Sequence, residues 1–274
     1  MRIGGCSFAF GPRPLEGAGQ IIRQLGFEVI DLGVCFGNTQ INPFEASDDP
    51  EAVSDRVRQT LERLKLQPGE CFVLDFGQPI NHPDKMMRSE TRRRFRPLAR
   101  FASLAGCPSI MLIPGVVHEQ LGREASYELS VEELRELCLM ADDNRIQLNI
   151  EPCDSSVAQT PQDAVRLCRD VPGLGLTLDY SHFIDPGYVQ AEVEALHPFA
   201  RHFHARQAVR GKRVEAVERG SIDFQRILSL LKRDNYQGII AVEYVECETT
   251  RQCGVDVWTE TPKMKSELER LMEQ

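Results

Sequence analysis

The sequence predicts a single (β/α)8 barrel, and three observations carry that expectation. Short apolar runs alternate with amphipathic stretches from end to end of the 274 residues. Eight such runs occur, short and mainly apolar, as parallel strands covered on both faces should be. Four of the runs end in a residue able to ligate a metal, at Glu151, Asp179, His204 and Glu243, with gaps of 28, 25 and 39 positions. Each gap holds one strand and one helix, the period of βα units whose strands end on the same side. An open doubly wound sheet is the alternative. Against it, no GxGxxG follows the first run, no GxxxxGK[ST] occurs, and Gly173-Leu174-Gly175 precedes a strand instead of opening a helix. No Ser- or Gly-rich linker interrupts the pattern, so residues 1–274 are expected to form one domain.

The predicted strands are Arg2–Ser7, Phe27–Leu32, Cys71–Phe76, Ser109–Ile113, Arg145–Ile150, Leu174–Leu178, Phe199–Ala205 and Gly238–Glu243. Between them, Asp49-Pro50 reads as an N-cap with proline at the first helical position, opening a stripe of Val53, Val57, Leu61 and Leu64. A helix from about Lys85 to Ala105 is expected to stop at Gly106. Another, from about Glu124 to Asp143, carries Leu134, Leu137 and Cys138 on one face. Thr160-Pro161 opens the next, and Pro172-Gly173 follows its end. Ser221 is expected to cap Phe224–Arg233, and Thr261-Pro262 to start a last helix with Leu268 and Leu271.

Bulk properties narrow the functions. Apolar residues make up 42%, enough for a large core. No apolar run approaches the ~20 residues that span a bilayer, and the first residues carry no cleavage signal, so a cytoplasmic protein without membrane contact is expected. The nine cysteines are odd in number and contain no CxxC pair, which favours buried reduced thiols over disulfides or a cysteine zinc site. The net charge of −9 argues for a small-molecule partner and against nucleic acid. The one basic cluster, Arg88 with Arg92, Arg93, Arg94 and Arg96, is expected to be a solvated helix face.

Three carboxylates and an imidazole converging on one pocket repel each other unless a cation holds them. Hard oxygen donors with one imidazole favour Mn2+ or Mg2+, with Co2+ or Zn2+ as alternatives.

The second half also carries ordered motifs: Asn149-Ile150-Glu151-Pro152, Leu178-Asp179-Tyr180-Ser181-His182, His202-Phe203-His204-Ala205-Arg206, Gly220-Ser221-Ile222-Asp223-Phe224 and Ala241-Val242-Glu243. In these the chain resembles the xylose isomerase-like TIM-barrel superfamily, above all the tagatose/psicose 3-epimerases, with inosose dehydratases and endonuclease IV as relatives. The resemblance implies that Glu151, Asp179, His204 and Glu243 ligate one divalent ion. It implies that His182 contacts a substrate oxygen. It also implies that Arg210, six positions after His204, binds substrate, although Arg206 and Arg213 lie in the same loop. A weak expectation of a dimer or tetramer comes with it.

The expected activity is that of a metal-dependent sugar isomerase or epimerase. An ion on the substrate's oxygens would stabilise an enediolate, and Glu151 and Glu243 would remove and return a proton next to the carbonyl. A dehydratase or lyase of a keto-sugar or cyclitol uses the same residues and stays open. An abasic-site nuclease is the remote alternative. It needs further histidines after the third and fourth strands and an Asp-x-His after the seventh, whereas here the fourth strand ends Met111-Leu112-Ile113-Pro114 and no Asp-x-His follows His204.

Other positions have plainer readings. Asp223 reads as a helix-start acid, and Glu246 and Glu248 compete with Glu243 for the last acid. His202 and His204 are expected to face opposite ways, leaving His202 in the core or behind the ligands. Asp31 and Asp75 could orient a ligand. Asn81, His82 and His118 could touch substrate, and Phe8, Phe10 and Trp258 could form an apolar wall.

Overall fold

The structure, a computed structural model, describes residues 1–34, 40–73 and 76–274. The expected strands form as β1 (Arg2–Cys6), β2 (Val29–Val34), β3 (Gln67–Val73), β4 (Ser109–Leu112), β5 (Gln147–Ile150), β6 (Gly175–Asp179) and β7 (Ala200–Ala205), with β10 (Ile239–Val242) as the last. Among the described residues these eight parallel strands close a barrel in the order β1-β10-β7-β6-β5-β4-β3-β2. A short antiparallel hairpin, β8 (Gln207–Val209) and β9 (Lys212–Glu215), stands after β7 and outside the barrel. Every residue of β2 and of β6 is buried, as strands covered on both faces require.

The third strand begins four residues before its predicted start. The Gln67 amide donates to the Glu28 carbonyl, and the Glu70 amide donates to Asp31 Oδ1, so Gln67–Glu70 are already tied to β2. Asp75 lies outside the described residues.

Helices pack around the barrel where the sequence places them. Asp49 accepts from the Ala52 amide and caps Pro50–Leu64, whose Val53, Val57 and Leu61 are buried. Thr160 caps Pro161–Asp170 through the Asp163 amide. Lys85–Leu104 stops before Gly106, whose φ of 86° is the left-handed value glycine tolerates. Gly5 in β1 lets the first helix, Leu15–Gln24, come close: a Cβ there would lie 2.8 Å from the Ile22 side chain.

Three local expectations need correction. Ser221 does not cap Phe224–Arg233; Asp223 does, accepting from the Arg226 amide, while the Ser221 hydroxyl donates to the Ala208 carbonyl and ties the turn to β8. The last helix runs Val257–Met272 and contains Pro262, because buried Val257 and the bond from the Val217 amide to Glu260 Oε2 draw its first turn into the packing. The arginine cluster is not a solvated face throughout. Arg88 is buried, and Arg88 and Arg92 pair with the fully buried Glu133 of Arg123–Asp143; Arg93 and Arg94 pair with Glu90, and Arg96 with Asp143.

Candidate metal and acid–base site

Strand register gathers the predicted residues at the carboxyl end of the barrel. Asp179 on β6 stands opposite His204 on β7. Ala241 of β10 also pairs with His204, and the Glu243 amide donates to the Ala205 carbonyl just past the strand end. Glu151 follows β5, its amide donating to the Leu112 carbonyl of β4. All four side chains are buried.

His204 is the centre of the group. Its Nδ1 lies 2.7 Å from Glu151 Oε1 and 3.4 Å from Glu243 Oε2. Its Nε2 points the other way, 3.6 Å from Asp31 Oδ2. Ligating atoms of Glu151, His204 and Glu243 fall within 4.8 Å of one another, as do those of Glu151, Asp179 and His182. Glu151 belongs to both groups, so the four expected ligands and His182 form one continuous cluster.

The residue in its midst that sequence reasoning passed over is Arg206. Only 8% exposed, it donates from Nε to Ser181 Oγ at 2.8 Å, and its Nη2 lies 2.6 Å from Asp179 Oδ2 and 3.2 Å from His182 Nε2. Its Nη1 is 3.2 Å from Glu243 Oε2. Asp179 is also bonded by the Ser181 amide and hydroxyl, both at 2.8 Å. Arg210 instead occupies the exposed turn between β8 and β9, beside Gly187, and Arg213 pairs with Asp154 and Asp185. The Gly-x-Ile-Asp-Phe turn docks on Gln207, which bonds both the amide and the carbonyl of Ile222.

Behind the site lies a second buried layer. His202 and His204 share the inward face, contrary to the sequence expectation, because residues two apart on a strand point the same way. Their rings stand 5.4 Å apart, and His202 Nε2 lies 2.8 Å from Asp31 Oδ2. Glu70, fully buried, accepts from Ser109, Asn149 and Thr177 at 2.7, 2.7 and 2.5 Å. The alternative acids are accounted for: Glu246 and Glu248 are exposed, and Glu248 pairs with Arg251. Asn81 is taken up by bonds to Val116 and Ser126, and His118 bonds back to Asn81, so both brace the loops. Phe8 packs on Phe72, which lies 6.0 Å from the His204 ring; Trp258, 46% exposed, packs on Phe10.

The electrostatics split the two glutamates. Burial and the neighbouring carboxylates Glu151 and Asp179 push Glu243 up to about 7, outweighing His204 and Arg206. Burial opposes ionisation of Glu151 as well, but the charge and hydrogen bond of His204 hold it down to about 2. Burial disfavours the His204 imidazolium, yet Glu243, Glu151 and Asp31 raise its pKa well above the usual histidine range. Burial lowers His182, which is therefore neutral at pH 7.

The donor set fits a divalent cation. Glu243 Oε2 is buried without a hydrogen-bond partner, despite its short distances to His204 and Arg206, and His182 Nδ1 is likewise unpartnered. Such orphaned atoms are costly unless something satisfies them. Carboxylate oxygens of Glu151, Asp179 and Glu243 with His204 Nδ1 are hard and borderline donors of the kind Mg2+ and Mn2+ take.

Comparison with known proteins agrees with the architecture. A solved L-ribulose 3-epimerase superposes with a TM-score of 0.79 at 16% identity, covering 99% of this chain and 94% of that one. A D-psicose 3-epimerase from Clostridium cellulolyticum H10, solved with D-tagatose, gives 0.79 at 14% identity over 99% of both chains. A 3-keto-D-glucoside 4-epimerase from E. coli gives 0.74 at 16%, covering 98% of this chain and 99% of that one. A Mus musculus protein named "Putative hydroxypyruvate isomerase" is 28% identical over 158 residues, so the match spans about half of each chain: 53% of this one and 56% of that one. Residues 20–273 match the model of the xylose isomerase-like TIM barrel family, and the chain belongs to that family.

Proposed function

We propose that the protein is a divalent-metal-dependent isomerase or epimerase that moves a proton on a carbon next to a carbonyl of a small sugar-like substrate, with residues 1–274 acting as one domain. The observation that carries this reading is the pair of buried glutamates, Glu151 and Glu243, flanking one imidazole nitrogen at 2.7 and 3.4 Å. Glu151, Asp179, His204 and Glu243 would hold the ion. When bound, it supplies Lewis-acid polarisation of the substrate's hydroxyl and carbonyl oxygens.

The chain's own groups supply the proton chemistry. Without the ion, their surroundings drive the two carboxylates apart, Glu151 to about 2 and Glu243 to about 7; holding the ion requires both to be ionised, so either can accept a proton from carbon. A proton that one of them removes from carbon would be returned by the same glutamate or, once passed on, by the other. Delivery to the same carbon from the other side of the pocket inverts it, and delivery to its neighbour interconverts aldose and ketose. Neutral His182 can donate to a substrate oxygen. Phe72, packed on Phe8, puts an apolar ring 6.0 Å from that of His204. The similarity to proteins named as 3- and 4-epimerases and as an isomerase supports the same class.

The test is solvent-deuterium exchange. The protein with Mn2+ is incubated in D2O with a panel of ketoses, keto-sugars, inososes and hydroxypyruvate, and carbon-bound hydrogen is followed by NMR. Exchange into one substrate class, lost on chelation of the metal, is the expected result. No exchange into any compound by protein holding its metal overturns the reading.

A further inference from the structure

The two nitrogens of the His204 imidazole face different anions. Nδ1 lies 2.7 Å from Glu151 and 3.4 Å from Glu243, while Nε2, buried and without a hydrogen-bond partner, lies 3.6 Å from Asp31 Oδ2. To ligate an ion the ring must be neutral, and a neutral imidazole keeps one N–H. A proton on Nδ1 would bar the ion from that nitrogen and set the Nε2 lone pair against the Asp31 carboxylate. A proton on Nε2 points its N–H at that carboxylate and leaves the Nδ1 lone pair free among the acids.

Asp31 is built into its place. It is fully buried on β2, and its Oδ1 accepts from the Glu70 amide of β3 at 2.8 Å. Gly69 makes room for that bond, because a Cβ there would overlap Asp31 Oδ1. On the other oxygen, Oδ2 lies 2.8 Å from His202 Nε2. The His202 and His204 rings stand at 89° to each other with centroids 5.4 Å apart, and both present Nε2 to that one oxygen. The carboxylate is thus fixed by two groups other than His204, and the His204 ring has to suit it.

We propose that Asp31 is a positioning residue that keeps the His204 proton on Nε2 and so reserves Nδ1 for the ion. This rests on the metal reading above, and the experiment separates the two. Asp31→Asn is nearly isosteric but keeps a single acceptor oxygen. With that oxygen on the Glu70 amide, its NH2 group faces both Nε2 atoms, donor against donor, and drives His204 to the tautomer that cannot bind through Nδ1.

Mn2+ uptake by wild type, followed by EPR, comes first. No uptake removes the metal reading and this proposal with it. With uptake, long-range proton–nitrogen NMR of Zn2+-loaded wild type, labelled on its six histidines, tests the role of Asp31 by itself. The ring whose nitrogen shifts on loading is expected to bind through Nδ1 and to carry a solvent-protected proton on Nε2. Binding through Nε2, or an Nε2 without a proton, overturns the proposal whatever the variant does. Asp31→Asn should weaken Mn2+ about ten- to hundredfold, the usual worth of a partner that orients a ligating histidine, while circular dichroism of the ion-free protein stays near wild type. Unchanged Mn2+ affinity in folded Asp31→Asn also overturns it, and if Asp31→Asn does not fold, the wild-type spectrum decides.

Discussion

At the scale of single residues, the site depends on how burial divides protons between like groups. Glu243 has an orphaned oxygen and a carboxyl pushed up to about 7, while Glu151, against the same imidazole nitrogen, is held to about 2. Glu243→Gln keeps the volume and removes the transferable proton. It should abolish turnover while circular dichroism and melting temperature stay near wild type; near-normal activity would remove Glu243 from the chemistry. The same raised value makes metal uptake proton-linked, because the ion needs the carboxylate. Mn2+ affinity should fall steeply as pH drops below about 7, because both the Glu243 carboxyl and the His204 imidazolium must lose a proton to the ion, and a flat titration between pH 5 and 8 would contradict it. For the ion-free fold the sign is reversed. The raised Glu243 contributes stability fully below its ordinary 4.5 and loses it as pH rises through about 7. Raised His202 and His204 work in the same direction, whereas His182, depressed by burial, costs stability as pH falls below its ordinary 6.5.

At the scale of elements, one buried carboxylate joins four strands. Glu70 on β3 accepts from Ser109 on β4, Asn149 on β5 and Thr177 on β6. Glu70→Ala strips three buried donors at once and should destabilise the fold by about 3 kcal/mol or more, read as a shift in denaturation midpoint with the m-value unchanged. A loss well under 1 kcal/mol would mean that water replaces the carboxylate. Of this layer the sequence offered Asp31 as an acid able to orient a ligand and His202 as a residue behind the ligands, as the structure has them, but not Glu70. Glu70 stands where an inward acid and an outward one look alike, and only ring closure brings it to Thr177, 107 positions on. The outer layer was legible for the opposite reason: Glu151, Asp179, His204 and Glu243 each end an apolar run, so the strand period alone fixes their height and side. Arg206 was missed because Arg206, Arg210 and Arg213 share a loop, and the hairpin of β8 and β9 decides which of them turns inward. Asp223 and Asp49 announced their helices through capping chemistry, which is local. The early start of the last helix depends on contacts to Val217 and therefore was not readable from the Thr261-Pro262 pair.

At the scale of the whole molecule, the site exists only when the barrel is closed. Its groups come from β2, β5, β6, β7 and β10, and the pairing of β10 with both β7 and β1 completes the ring that holds Glu243 against His204. An unfolded chain scatters these residues over more than 200 positions, so a divalent ion binding the cluster binds the folded state alone. Among the described residues the cluster sits within one closed sheet, so ion binding should raise the stability of the entire cooperative unit instead of ordering one loop. At a free Mn2+ concentration a hundred times the dissociation constant, the gain is about 2.7 kcal/mol. For a chain of this size that corresponds to a rise of about 5 °C in melting temperature, reversed by chelation. Asp179→Asn should lose most of the rise, because Asp179 stands opposite His204 on the neighbouring strand and the substitution removes one of the carboxylate charges that would hold the ion. A melting temperature indifferent to millimolar Mn2+, Mg2+, Co2+ and Zn2+ alike would leave Arg206 and the His204 imidazolium to serve these acids, and both the ion and the proton-transfer scheme built around it would fall.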